Sequence, residues 1–116
     1  MSMAEAHAIT PEHIKVERFD LTVTLYPSHS DSKKLGKIDL DRLLNEDPAG
    51  TYNSLKTLLI EKYGKPTNQE RQDSNGTTRN TTAWIFPSTI ITLDTYGAQG
   101  VEILYEPANA KAADTL

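Results

Sequence analysis

The 116-residue chain contains no cysteine, which excludes disulfides, thiolate zinc sites, iron–sulfur clusters and a cysteine nucleophile together. It also lacks long apolar runs: the longest span a few residues, against the roughly 18 that a membrane-spanning helix needs. Neither charge dominates, with 12 Lys and Arg against 16 Asp and Glu and a net charge of −4. A protein living on phosphate contacts would carry a basic stripe. The nearest approach, Lys33, Lys34 and Lys37, sits among Asp31, Asp39 and Asp41 and reads as a mixed solvated surface. Nucleic acid is therefore not an expected partner. The opening "MSMAEAHAITPEH" has neither the basic start nor the apolar centre of a secretory signal, so an exported protein would already have lost its signal from this chain.

Catalytic and cofactor patterns are equally scarce. His7, His13 and His29 show no H-x-x-x-H or H-x-H spacing, so a metal site would need distant carboxylates such as Asp31. No G-x-S-x-G supports a serine nucleophile, and Ser28-His29-Ser30 reads as a turn. No G-x-G-x-x-G or G-K-[ST] is present to cradle a phosphate. No catalytic residue, cofactor or metal ligand is assigned. Two carboxylate pairs have strand spacing: Asp39 with Asp41, and Glu102 with Glu106. Each pair would share a face, suited to acid–base work or a cation, or would form the solvent side opposite Ile38 and Leu40.

What is present describes a fold. Hydrophobic residues form 37% of the chain and charged residues 24%, enough for one modest core. In "FDLTVTLY", Phe19, Leu21, Val23 and Leu25 alternate with polar or amphipathic residues, the period of a half-buried strand. "KLGKIDLDRLL" resumes the pattern after "SHSDS", predicting a hairpin whose end at "DRLLNE" reads either as strand or as a helical turn.

"DPAGTYNSLKTLLIEKYGKP" is the clearest helix, with Tyr52, Leu55, Leu58, Leu59 and Tyr63 on one stripe. Asp47-Pro48 offers a start, with Thr51 a later alternative. Gly64 in the left-handed conformation would end the helix, and Pro66 would stop it resuming. Asn75-Gly76 predicts a two-residue turn in an otherwise polar edge hairpin. "TTAWIFP", "STIITLDTY" and "GVEILYEP" then read as strands joined by short antiparallel connections.

The expected fold is α+β: an antiparallel sheet of about five strands with one main helix on one face, in the order β-β-α-β-β-β. Residues 1–14 are expected as a mobile arm, with a helix start at Thr10-Pro11-Glu12. Residues 15–106 form the single domain, and 107–116 a frayed tail.

Lys62-Tyr63-Gly64 and Pro66, with Tyr52, Leu55 and Leu59 before them, precede Trp84, Ile90, Ile91, Leu93, Val101, Ile103 and Tyr105. Over residues 33–106 this resembles a recurring type of small bacterial envelope or secreted domain, in which a helix ending in K-Y-G-x-P leads to a tryptophan-bearing strand and a meander. The resemblance implies a periplasmic or secreted place and a role in assembly, inhibition or protein recognition, with no shared catalytic set. Because both faces of the later strands carry apolar residues, a homodimer or a protein partner docked on the open sheet is the expected association. The candidate surface is Trp84, Phe86, Tyr96 and Tyr105, with burial of Trp84 in the core as the competing reading. A small hydrolase or ligand-binding protein with a site assembled only in three dimensions is the alternative function, and a cytoplasmic or phage-encoded accessory protein is another.

Overall fold

A computed structural model describes residues 2–16, 19–28, 30–42, 47–74, 77–96 and 100–108, with backbone alone at 74, 77 and 96. The described elements are α1 (Met3–Ile9), β1 (His13–Val16), β2 (Phe19–Pro27), β3 (Leu35–Arg42), α2 (Pro48–Tyr63), β4 (Asn68–Ser74), β5 (Thr77–Ile85), β6 (Thr89–Tyr96) and β7 (Gly100–Pro107). All seven strands join one antiparallel sheet in the order β1-β2-β3-β7-β6-β5-β4. Two meanders thus approach from opposite edges and meet where β3 pairs with β7.

The α+β class and the single antiparallel sheet agree with the sequence, but the strand count and order do not. The sheet has seven strands, and a short helix opens the chain. The stretch expected as an arm contains α1 and the first half of β1. Ser2 caps α1 through the Glu5 amide, while Thr10 lies at its C-terminal end, not at the start of a helix. Local capping chemistry competes at both positions, and only Ser2 has helix-forming Ala and Glu residues directly after it. The two strands of the polar segment, β4 and β5, pair from Asn68↔Ala83 to Ser74↔Thr77. The expected turns at 75–76 and 97–99, the end of "DRLLNE" at 43–46, His29 and residues 109–116 lie outside the described residues.

Helix α2 follows its sequence signals. Asp47 Oδ1 accepts the Gly50 amide hydrogen bond at 3.0 Å, and Pro48 occupies the first turn, where no amide is needed. Tyr52, Leu55 and Leu59 join Phe19, Leu21, Leu40, Trp84, Ile91, Leu93, Val101 and Ile103 in one core, with Leu58 and Tyr63 packed at its border. Gly64 ends the helix with φ of 88° and ψ of −161°. The positive φ is as expected, but ψ belongs to the extended region open essentially to glycine alone, not to the left-handed helical one. In this conformation the Gly64 carbonyl accepts the Trp84 Nε1–H at 2.8 Å. The helix terminus is thereby tied to the sheet.

Candidate acidic face of the sheet

Strand alternation divides the side chains between two faces. One carries Leu21, Val23, Leu40, Ile103, Leu93, Thr82 and Trp84 under α2. The proposed aromatic surface belongs largely here. Trp84 is buried at 1% exposure, so it offers no contact to a partner. Phe86 packs on Tyr63, with ring centroids 6.0 Å apart, and Tyr105 is half-buried against the same core. Burial and then the Tyr63 side chain hold the Tyr105 phenol well above its ordinary pKa. Tyr96 pairs with Gly100 through its backbone, and its side chain lies outside the description.

Among the described residues, α2 packs on β6 and β7, and α1 on β2. Register places Thr22, Asp41, Glu102, Asp94, Thr81 and Glu70 in one row across six strands. The adjoining row is Thr24, Asp39, Leu104, Thr92, Ala83 and Asn68. Three carboxylates therefore occupy directly opposed positions on adjacent strands about 4.8 Å apart, an arrangement that destabilises a sheet unless something offsets it.

The offset is partial. Arg79 grips Asp94 with two bonds, Nε to Oδ1 at 3.0 Å and Nη2 to Oδ2 at 2.5 Å, while Asp94 is only 3% exposed. Such a bidentate charge pair satisfies both carboxylate oxygens. Asp39 lacks that relief: it is 7% exposed, and its Oδ1 has no hydrogen-bond partner. Burial first, then the charge of Glu102, a hydrogen bond with Glu102 and the charge of Asp41 raise its pKa to about 7, with Lys37 opposing. Burial also raises Asp41. Lys37 itself lies over the Tyr26 ring, 5.1 Å from its centroid.

The sequence had suggested both carboxylate pairs, and the β3–β7 register brings Asp39, Asp41 and Glu102 together. Asp94 and Arg79 were missed. Asp94 interrupts an apolar strand, which hints at a partner, but only the register identifies Arg79.

A separate open groove of about 400 Å³ lies between α2 and the β4–β5 pair. Tyr52, Asn53, Lys56, Gln69, Arg71 and Asn80 contribute to its walls. Lys56 donates to Gln69, and the Tyr52 hydroxyl hydrogen-bonds with buried Thr82. His7 and His13 are exposed on α1 and β1, and the Ser28 and Ser30 hydroxyls hydrogen-bond to each other. Among the described residues, no three His, Cys, Asp or Glu side chains converge as a metal cage, and no helix is long and apolar enough to cross a membrane. No protein-family model matches this chain, and no curated protein or solved structure was found to match it.

Proposed function

We propose that the protein is a non-catalytic protein-interaction module whose acidic sheet face receives a basic segment of a partner protein. The observation that carries this reading is the run of three opposed carboxylates, Asp41, Glu102 and Asp94, across β3, β7 and β6, with only Asp94 gripped by an arginine among the described residues. Asp39 adds a further carboxyl beside Glu102 and Asp41, outside the lining of the groove between α2 and β4. Lysine or arginine side chains would bring positive charge and N–H donors to the partly exposed Asp41 and Glu102 carboxylates. A bacterial envelope or secreted setting rests on the sequence resemblance alone.

The test is a titration of the folded protein with an oligolysine peptide and, separately, an oligoglutamate peptide of equal length, followed by backbone amide shifts. Binding of the cationic peptide alone, with shifts on β3, β6 and β7 and weakening in salt, is the expected result. Asp41→Asn/Glu102→Gln should reduce that affinity about tenfold or more. Equal response to both peptides, or shifts confined to the α2–β4 groove, would overturn the proposal. The latter outcome would favour the ligand-binding alternative.

A further inference from the structure

β4 is the longer of the two sheet edges. It spans seven residues, pairs with β5 in an unbroken register and has no strand on its other flank among the described residues. The opposite edge, β1, has four residues, and α1 packs beside it on β2. Neither proline nor a bulge interrupts Asn68–Ser74, so a row of backbone donors and acceptors is available for pairing. Charged side chains on such an edge deter unrelated strands. Their arrangement here admits one particular partner.

We propose that β4 pairs antiparallel with β4 of a second copy of this chain, about a two-fold axis at Gln72. An antiparallel strand pair related by a two-fold axis keeps each residue on its own face, so same-face residues oppose one another. With the axis at Gln72, Arg71 faces Asp73 of the second copy, the same ion pair recurs by symmetry, and Gln72 faces its counterpart. Centring on Glu70, Arg71 or Asp73 sets a charge against itself, and centring on Gln69 creates no ion pair. Opposite charges at directly opposed positions stabilise a sheet, and like charges destabilise it.

Arg71 and Asp73 are suited to an exchange of partners. They already touch within one strand at 3.7 Å, and Thr78 donates to Asp73 Oδ1 at 2.6 Å, yet the Arg71 and Asp73 side chains are 69% and 67% exposed and neither belongs to the core. The resulting assembly is one continuous fourteen-stranded sheet with both α2 helices on the same side, leaving the two acidic faces side by side on the other. This inference stands apart from the reading of the acidic face, because it uses a different surface and a different partner.

Sedimentation across a concentration series tests it on wild type, Arg71→Asp, and the swap Arg71→Asp/Asp73→Arg. Wild type should double in mass as concentration rises, Arg71→Asp should require about tenfold more protein, and the swap should return toward wild type because the symmetry pair is restored. Amide hydrogen exchange on β4 should slow with concentration while exchange on β3 does not change. A wild type that remains monomeric at every concentration overturns the proposal. So does a dimer indifferent to Arg71→Asp, which would place the interface elsewhere. Circular dichroism of each variant separates loss of pairing from loss of folding.

Discussion

Replacing Asp39 by asparagine should stabilise the protein in alkaline solution and remove most of a pH slope that the wild type carries. In the folded chain the Asp39 carboxyl keeps its proton to about pH 7, whereas in the unfolded chain it loses it near the ordinary value of 3.8. Between those values the folded state binds more protons, so stability falls as pH rises. Below about pH 4 both states are protonated, and above about pH 7 both are charged, which confines the slope to that window. Three pH units at 1.4 kcal/mol each set a ceiling of about 4 kcal/mol, and screening by water at the half-buried Glu102 and Asp41 reduces the expected loss to about 2 kcal/mol. Asparagine has nearly the same shape, cannot ionise, and offers amide hydrogens to the neighbouring carboxylates. Urea unfolding followed by Trp84 fluorescence should therefore show Asp39→Asn about 2 kcal/mol more stable than wild type near pH 8, and similar to it near pH 4. Parallel stability profiles for the two proteins across that range would refute the claim that this carboxyl is strained by burial and by Glu102.

The junction between α2 and the sheet yields two further predictions. Gly64→Ala places a Cβ where no atom lies within 4 Å, so its cost is purely conformational, about 1–2 kcal/mol in urea unfolding. Trp84→Phe removes the bond to the Gly64 carbonyl and leaves unfilled core volume; circular dichroism melts should register a loss of about 2–3 kcal/mol. Gly36→Ala would set a Cβ 2.6 Å from the Pro27 carbonyl oxygen, beside the register shift at Tyr26/Pro27. Because that neighbour is backbone, β2 must shift, and a loss of about 2 kcal/mol or more is expected from the same unfolding measurement.

The elements most readable in the sequence were those whose signals are local. Asp47, Pro48 and the Tyr52–Leu55–Leu59 stripe define α2 within one stretch of chain, and the alternation in β2 and β3 is equally self-contained. Asn75-Gly76 marks an edge hairpin, but β4 has no apolar alternation to identify it as a strand in its own right. Its pairing comes from backbone bonds to β5, which side-chain patterning does not report. The acidic face was hidden for a related reason. Asp39 and Asp41 share a face by spacing alone, but their approach to Glu102 depends on the pairing of β3 with β7, two strands remote in the chain. Trp84 illustrates the converse: the residues flanking it are apolar on both sides, so its burial is decided by the side on which α2 lands.

The meeting of the two meanders also sets the tempo of folding. β1–β3 and β4–β7 can each form from contacts between sequence neighbours, but β3 finds β7 only after the entire intervening chain, including α2, has been gathered. Closing that long loop costs entropy before any burial rewards it, which slows folding of mostly non-local β topologies to milliseconds or longer. The β3–β7 contact is also where the acidic residues meet, so the step that completes the hydrophobic layer is the one that forces Asp39 toward Glu102. Acid should therefore hasten refolding through this step, since protonation relieves the repulsion as the two halves join.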